Sequence, residues 1–280
     1  MKINSVTILG TGRMGSTIAV AMARVNMKVT IVSRRSKNKA LYLIKQRLTR
    51  QMQNGEITLH EKNNILENIL GTTDVRKAKD SQLVIETIIE DINAKKRLFR
   101  RLDALCLANT IFASNTSSLS IAEISKATKR KHKFLGLHFF YPADKMKLLE
   151  IVTTPAVSQE TINSIKLFAQ KIMKETVLVD DIAGFIVNRL NFPLINEAIN
   201  MVEKNSASTE EIDKAMQLGL NWPMGPLSLA DVIGLDVCLS ITKSLYARIG
   251  EKKYKPSALL IKKVRNGYLG KKTKCGFYKY

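Results

Sequence analysis

Three polar groups follow or lie within short apolar segments of the chain, and together they could move a proton. Residues 111–113 are followed by the hydroxyl-rich stretch 114–118 (SNTSS), and residues 134–138 end in a histidine. Glu150 lies inside a third apolar stretch, twelve positions after that histidine. An imidazole exchanges protons near neutral pH, and a carboxylate can fix its tautomer through a hydrogen bond. We expect these groups to form an acid–base site at the ends of neighbouring strands.

A second candidate site lies near the start of the chain, where a glycine-rich loop joins a strand to a helix. The β-branched run at residues 6–9 leads into GTGRMG, a helical pattern follows, and Lys28–Val32 is predicted as the next strand. This G-x-G-x-x-G arrangement is typical of dinucleotide-binding loops, because the helix N-terminus offers N–H groups to a diphosphate. The expected cofactor contacts in the loop are Gly10, Gly12, Arg13, Met14 and Gly15.

The end of that second strand favours NADP over NAD. In NAD enzymes an acidic residue usually binds the ribose 2′-hydroxyl at this point, but here the sequence reads VSRRS and no acidic residue occurs before Glu56. Ser33, Arg34 and Arg35 suit a 2′-phosphate, because arginine pairs with phosphate through two parallel hydrogen bonds. The alternative interpretation is a solvated basic turn, with NAD as the cofactor.

Strands and helices alternate through the first part of the chain. Residues 37–70 are predicted to form a pair of helices. Further strands are predicted at 80–86, 111–113, 134–138 and 176–179. Repeated strand–helix units imply an α/β Rossmann-type, doubly wound sheet that is mostly parallel. Ligands of such sheets bind beyond the carboxyl ends of the strands, so we expect the glycine loop, Ser117 and His138 to lie at that edge.

The remaining part of the chain has a helical pattern throughout. Residues 185–202 are predicted to form a long helix interrupted by Pro193, and the helix at 208–218 begins with the capping signal STEE. The sequence therefore predicts two domains. These are a dinucleotide-binding domain at 1–182 and an all-α C-terminal domain at 183–280.

Composition and charge narrow the class of protein. The 280 residues are 45% hydrophobic and 25% charged, which is ordinary for a globular chain, and the net charge is +21. That charge fits phosphorylated small molecules, an acidic protein partner or simply a lysine-rich composition. Arg47 and Arg50, on the predicted helix after residue 37, could bind substrate phosphates or face solvent. The absence of aromatic–basic interleaving argues against nucleic acid as a partner.

The cysteines and the N-terminal sequence bear on the cellular compartment. Cys106, Cys238 and Cys275 stand far apart and outside any metal-ligand spacing, which predicts unpaired thiols and no metal site. The chain begins directly with a strand and a glycine loop, without the apolar segment of a signal peptide. No apolar run approaches the ~18 residues of a membrane span. We therefore predict a cytoplasmic protein that does not bind membranes.

Seven stretches, in order along nearly the whole chain, resemble the 3-hydroxyacyl-CoA dehydrogenase family, and especially the short bacterial 3-hydroxybutyryl-CoA dehydrogenases. They are GTGRMG, ASNTSSLSI, GLHFFYPA, MKLLEIV, GFIVNRL, PMGPLSLADVIGLD and GKKTKCGFYKY. The resemblance implies a Rossmann domain followed by a helical domain that contacts substrate and forms a homodimer. It also implies an NAD(P)-dependent oxidoreductase of fatty acid metabolism, acting on C3 of a short-chain acyl-CoA thioester.

The resemblance also implies roles for single residues. His138 matches the catalytic histidine of the family, and Glu150 matches its acidic partner. Ser117 matches the serine that contacts substrate and cofactor, and Asn188 of GFIVNRL matches the asparagine that completes the site. Three more residues fall at cofactor contacts of the family: Glu90, Lys95 and Lys272.

Two departures from the family pattern keep alternatives open. Tyr141 stands where the family usually has asparagine, beside the nicotinamide and the substrate, and Ser33 replaces the expected acidic residue. Tyr141 and the high positive charge fit a second function, the same reaction on a hydroxyacyl group carried by an acidic acyl carrier protein. A third possibility is a structural protein that binds a dinucleotide without turnover. Retention of the catalytic residues of the family argues against it.

Overall fold

The computed structural model describes residues 2–34 and 36–280, and the chain forms two compact units, 1–182 and 183–280. The first unit is built on an eight-stranded sheet in the order β3-β2-β1-β4-β5-β6-β7-β8. Neighbouring strands are parallel except for the antiparallel pair β6 and β7. The strands are β1 (Ser5–Leu9), β2 (Lys28–Val32), β3 (Ile69–Thr72), β4 (Leu83–Glu86), β5 (Ile111–Ser114), β6 (Phe134–Phe139), β7 (Leu148–Thr153) and β8 (Glu175–Asp180).

Helices cover the sheet of the first unit. They are α1 (Arg13–Ala23), α2 (Lys37–Gln53), α3 (Leu59–Glu67), α4 (Ile92–Leu105), α5 (Ile121–Ser125) and α6 (Gln159–Lys171). The central strands β4 and β5 are buried at every residue, as expected for strands covered on both faces. The apolar stripe of α1 packs into the same core through Ile18 and Met22. The predicted doubly wound α/β sheet is confirmed.

The sequence prediction is incomplete at two strands. The segment 37–70 was predicted to be helical to its end, but Ile69 and Leu70 belong to β3, which pairs with β2. The prediction also left β7 as an unassigned apolar stretch. β3 has four residues, too few to show a recognisable period, and the conformation of both strands depends on pairing with other strands of the sheet.

The second unit consists of helices, as predicted. They are α7 (Val187–Glu203), α8 (Thr209–Leu220), α9 (Pro226–Ile233), α10 (Leu235–Ile249) and α11 (Ala258–Arg265). Pro193 lies inside α7 without ending it, and the predicted cap of α8 is present, with Ser208 and Glu211 forming a reciprocal capping box. Across the described chain, no helix is both long enough and apolar enough to cross a bilayer.

Two buried carboxylates hold the motifs of the second unit together. Asp213 accepts hydrogen bonds at 2.8 Å from the backbone N–H groups of Leu227 and Ser228, in the first turn of α9. Asp231 accepts from the backbone N–H groups of Phe277 and Tyr278, each at 2.9 Å. A carboxylate that accepts a hydrogen bond from a buried backbone N–H offsets the desolvation cost of that N–H group. Asp213 therefore joins α8 to the stretch PMGPLSLAD, and Asp231 joins that stretch to GFYKY.

Candidate active site

His138 and Glu150 form a buried pair on adjacent strands. The two residues lie directly opposite each other in the antiparallel register of β6 and β7. Nδ1 of His138 is 2.5 Å from Oε2 of Glu150, and the exposed fractions of the two residues are 6% and 0%. Burial in a low-dielectric environment strengthens such a contact and restrains the imidazole ring. The arrangement suits a histidine that gains and loses a proton.

The position of Glu150 differs from the sequence expectation. We expected the carboxylate at the end of a strand, but Glu150 lies in the interior of β7. It reaches His138, near the end of β6, because β7 runs in the opposite direction and places the two side chains on one face. Chain spacing alone could not supply this information, since it does not report strand direction.

Ser117 lies in a loop that a carboxylate from the neighbouring connection holds in place. Oε1 of Glu90 accepts hydrogen bonds from the backbone N–H groups of Ser117 at 3.1 Å and Ser118 at 3.3 Å, and from the hydroxyl of Thr116. Burial disfavours the charged form of Glu90, but the Lys95 ammonium and these hydrogen bonds outweigh it, and the pKa of Glu90 is lowered. Glu90 therefore acts as an anionic anchor for the Ser117 loop.

Asn115 ties the same loop to the strand that carries the histidine. Its side-chain oxygen accepts a hydrogen bond at 2.9 Å from the backbone N–H of Phe139, the residue after His138. Its own backbone N–H donates to the carbonyl of Glu86. Asn115 thus fixes the spacing between the ends of β4, β5 and β6. In the sequence Asn115 is one residue of the polar stretch 114–118, and nothing in its spacing indicates this contact.

Lys95, predicted as a cofactor contact, is fully buried. Its ammonium lies 2.7 Å and 2.9 Å from the two carboxylate oxygens of Glu86 and 3.3 Å from Oε2 of Glu90. The side chains of Lys95 and Glu86 have exposed fractions of 0%. In this structure Lys95 therefore contacts protein carboxylates, and Glu90 links it to the Ser117 loop. The prediction overlooked Glu86, because an acidic residue at the end of an apolar run looks like an ordinary strand terminus.

The geometry of the glycine loop fits a dinucleotide. Gly10 has φ = +120°, and a Cβ atom there would lie 2.5 Å from the carbonyl oxygen of Thr87. A Cβ atom at Gly15 would lie 2.1 Å from the carbonyl oxygen of Gly10, whereas one at Gly12 would meet nothing within 4 Å. Gly10 and Gly15 therefore allow the loop and α1 to pack closely. The open space at Gly12, beside a helix N-terminus without a side-chain cap, is where a diphosphate fits.

The end of β2 lies beside this loop. Ser33 is buried, its hydroxyl accepts a hydrogen bond from the backbone N–H of Ser36 at 3.2 Å, and the Thr11 hydroxyl lies 3.5 Å away. Arg34 is exposed. Arg35, the other arginine of the predicted phosphate contact, lies outside the described residues. The interpretation of this turn as a 2′-phosphate site therefore stays a prediction, here based on Arg34 and Ser33.

A polar cleft of about 520 Å³ opens beside the same helix N-terminus. Several of the predicted binding residues line it together: Arg13, Arg47, Arg50 and Tyr141. Lys145 also lines it and pairs with Glu56 at 2.7 Å. Ser16 lines it too, and its buried hydroxyl makes no hydrogen bond to the described part of the chain. The excess of cationic side chains makes this cleft suitable for an anionic ligand.

The two arginines of α2 that were predicted to bind substrate differ in their surroundings. Arg47 donates two hydrogen bonds to the buried carboxylate of Asp144, at 3.1 Å and 2.7 Å, and Gln51 donates a third at 3.1 Å. Its guanidinium is therefore already engaged by a buried carboxylate. Arg50 is exposed and lines the cleft. Among these two, Arg50 is the better candidate for a phosphate contact.

Asn188 and Lys272 belong to the second unit. Asn188 lies in the first turn of α7 and is buried, with an exposed fraction of 8%. Lys272 pairs with Asp236 at the start of α10. Burial disfavours the charged form of Asp236, but the hydrogen bond and charge of Lys272 together with hydrogen bonds from backbone N–H groups outweigh it, so the pKa of Asp236 is lowered. Contacts of Asn188 with substrate and of Lys272 with cofactor stay predictions.

Family models and related proteins match this chain along nearly its whole length. Residues 5–182 match the family model described as 3-hydroxyacyl-CoA dehydrogenase, NAD binding domain, and residues 184–280 match the model of the C-terminal domain. The 3-hydroxybutyryl-CoA dehydrogenase of Clostridioides difficile is 44% identical over 275 residues, which cover 98% of this chain and 98% of that protein.

Two solved structures of related proteins also align with the whole chain. The crystal structure of M. tuberculosis FadB2 aligns with a TM-score of 0.97 at 37% identity and covers 100% of both chains. The (S)-3-hydroxybutyryl-CoA dehydrogenase PaaH1 from Ralstonia eutropha aligns with a TM-score of 0.92 at 37% identity, covering 100% of this chain and 99% of that one.

Proposed function

Because the chain belongs to the 3-hydroxyacyl-CoA dehydrogenase family, we propose that it transfers a hydride between a nicotinamide dinucleotide and C3 of a short-chain 3-hydroxyacyl-CoA or 3-oxoacyl-CoA. The observation that carries the proposal is the 2.5 Å contact between buried His138 and Glu150. The relatives from Clostridioides difficile and Ralstonia eutropha carry the name 3-hydroxybutyryl-CoA dehydrogenase, which supports a four-carbon acyl group as the first substrate to test.

In the oxidative direction, His138 is the general base. The hydroxyl proton at C3 must leave as the hydride leaves, and Nε2 of His138 accepts it while Nδ1–H donates to Glu150. The carboxylate fixes this tautomer and stabilises the imidazolium that forms. In the reductive direction the same imidazolium donates its proton to the developing alkoxide. Burial of the pair keeps competing water away from the transferred proton.

Ser117 and Asn188 are assigned to the oxygen at C3. Negative charge develops on this oxygen during proton transfer, and hydrogen-bond donors aimed at it lower the barrier. Ser117 supplies a hydroxyl from a loop anchored by Glu90 and Asn115. Asn188 supplies an amide from the first turn of α7. The match of both residues to positions of the family motifs supports these roles.

The glycine loop and the end of β2 are assigned to the cofactor. A nicotinamide dinucleotide, when bound, supplies the hydride acceptor or donor. The backbone around Gly12 accommodates its diphosphate, and Arg34 with Ser33 favours the 2′-phosphate of NADP over the free hydroxyl of NAD. The absence of an acidic residue at this turn supports the preference, because a carboxylate would repel the phosphate.

The cationic cleft supports coenzyme A as the carrier of the acyl group. Arg50 lines this cleft with the phenol of Tyr141, and coenzyme A offers phosphates and an aromatic base to such side chains. A small acidic protein needs a broad interface to bind with comparable specificity. The cleft is thus the observation that favours the small-molecule thioester over a carrier protein.

A substrate panel tests the proposed function. Purified protein is assayed with 3-oxobutyryl-CoA, the matched thioester on acyl carrier protein, and longer 3-oxoacyl-CoA esters, each with NADH and with NADPH. We expect turnover of the CoA ester and a lower KM for NADPH. Turnover of the carrier-protein thioester alone would contradict coenzyme A as carrier. Absence of turnover with every pair would contradict dehydrogenase activity itself.

A further inference from the structure

Glu86 is a buried carboxylate at the point where three elements of the first unit meet. It ends β4 and has an exposed fraction of 0%. Its oxygens accept hydrogen bonds from Lys95 on α4, from the backbone N–H of Ile88 at 2.7 Å and from the hydroxyl of Ser114 at the end of β5 at 2.6 Å. One charged side chain therefore joins β4, α4 and β5 at the carboxyl edge of the sheet.

The contacts continue from Glu86 to the loop that carries Ser117. Lys95 binds both oxygens of Glu86, at 2.7 Å and 2.9 Å, and its ammonium is 3.3 Å from Oε2 of Glu90. The other oxygen of Glu90 accepts the backbone N–H groups of Ser117 and Ser118. This series of contacts therefore begins at the Glu86 carboxylate and continues to the Lys95 ammonium. From there it reaches the Glu90 carboxylate and the backbone of the Ser117 loop.

We propose that Glu86 is a positioning residue for the hydride-transfer reaction, because it fixes Lys95 and thereby holds Glu90 against the backbone of Ser117. Nothing in the sequence patterns or in the family resemblance singles out Glu86. The inference rests on the proposed function for its catalytic consequence, while its structural part concerns the Ser117 loop alone. Glu86 touches neither substrate nor cofactor in this scheme.

The balance of charge explains why Glu86 matters. The buried cluster contains two carboxylates and one ammonium, and the ammonium makes its two shorter contacts with Glu86 and a longer one with Glu90. If Glu86 loses its charge, Lys95 loses its two shorter ionic contacts and is no longer fixed beside Glu90. Glu90 then lacks the fixed ammonium that orients it, and its hydrogen bonds to the loop weaken. The hydroxyl of Ser117 would move with the backbone that carries it.

The experiment compares Glu86→Gln with Glu123→Gln as a matched control. Glutamine keeps the shape of the side chain and removes the charge. Glu123 also pairs with a lysine of α4, Lys96 at 3.1 Å, but its side chain is 43% exposed and lies outside the series. Three quantities are measured for each variant: kcat and KM, the cofactor Kd by calorimetry, and hydrogen exchange of the peptide covering residues 114–120.

For Glu86→Gln we expect faster amide exchange in residues 114–120 and a kcat reduced roughly 10- to 100-fold, the loss that follows a small misplacement of a reacting group. The cofactor Kd should rise by less than kcat falls, because Glu90, Lys95 and Ser117 are expected cofactor contacts but the glycine loop that accommodates the diphosphate is not part of the series. Glu123→Gln should match the wild type in all three quantities. A lower melting temperature with unchanged kcat and unchanged exchange would reduce Glu86 to a structural role and overturn the proposal.

A second variant covers the case in which Glu86→Gln does not fold. The double variant Glu86→Gln/Lys95→Met removes both members of the buried pair, which is tolerated better than removal of one charge. It should show the same rapid exchange at 114–120, because Glu90 has lost Lys95. Wild-type exchange and kcat in this variant would refute the inference. An inactive wild-type protein would instead contradict the proposed function, and the exchange data would still decide whether Glu86 orders the loop.

Discussion

Nδ1 of His138 lies 2.5 Å from Oε2 of Glu150, and the two residues face each other across the antiparallel strands Phe134–Phe139 and Leu148–Thr153. Strand pairing places the two side chains opposite each other, and the hydrogen bond between them holds the ring in its orientation. A carboxylate at Nδ1 directs proton exchange to Nε2. The pair therefore gives the imidazole the fixed orientation that the proposed proton transfer requires.

Replacing His138 by Gln should lower kcat roughly 10²- to 10⁴-fold, the contribution of a positioned general base. Glutamine fills a similar volume and can hydrogen-bond to Glu150, so we expect the fold and the cofactor Kd to be retained. Steady-state kinetics and calorimetry on one preparation check both statements. A kcat within about threefold of wild type would remove His138 as the base. Glu150→Gln should also lower kcat, because an amide does not fix the imidazole tautomer in the same way.

Arg34→Ala should raise KM for NADPH roughly tenfold while changing KM for NADH about twofold or less, because the guanidinium can pair with the 2′-phosphate, which NADH lacks. Parallel kinetics with the two cofactors at saturating acyl substrate give the comparison. Arg248→Ala, an arginine of the second unit on the helix Leu235–Ile249, serves as the control for loss of one positive charge. Equal effects of Arg34→Ala on both cofactors would contradict the phosphate contact.

The sequence alone was sufficient for the parts of the fold and site that depend on local pattern. Lys28–Val32 was predicted with its observed limits, and the cap at Ser208 was predicted from four letters. Features that depend on distant residues were not predicted. Glu150 was expected at a strand end, but it lies inside Leu148–Thr153. The direction of that strand is set by its pairing with Phe134–Phe139, which the chain spacing does not report. Residues 69 and 70, the first two of Ile69–Thr72, were assigned to a helix because four residues have no recognisable period.

The same limit explains what was missed in the site. Glu86 and Asn115 make their contacts across β4, β5 and β6, so their roles depend on strand order. Arg47 was predicted to bind substrate because its helix is basic, yet its partner Asp144 lies 97 residues away in the chain. Residues that match the family motifs can be recognised in the sequence. The contacts of Glu86, Asn115 and Arg47 can be recognised only in the folded structure, because their partners are distant in the chain.

The loss of stability at alkaline pH tests the contact between Tyr278 and Asp213 in the second unit. Burial and the hydrogen bond to Asp213 raise the pKa of Tyr278 from 10.0 to about 12. Its folded-state pKa lies above the unfolded value, so the stability that it contributes is complete below pH 10.0 and is lost as the pH rises toward about 12. Tyr278→Phe should flatten the fall in melting temperature over this interval. An equally steep fall in the variant would contradict this linkage.

Arg47 and Arg50 lie one helical turn apart on Lys37–Gln53, line one cleft, and should nevertheless respond differently to alanine. Arg50→Ala should raise KM for 3-oxobutyryl-CoA roughly fivefold, the effect of losing one exposed charge pair, and leave KM for the N-acetylcysteamine thioester unchanged because that substrate has no phosphates. Arg47→Ala should instead destabilise the protein by about 2 kcal/mol, because it removes the main partner of a buried carboxylate, Asp144. Urea unfolding and kinetics with both thioesters measure the two effects. A stability loss in Arg50→Ala together with a selective KM effect in Arg47→Ala would reverse the assignment of the phosphate contact.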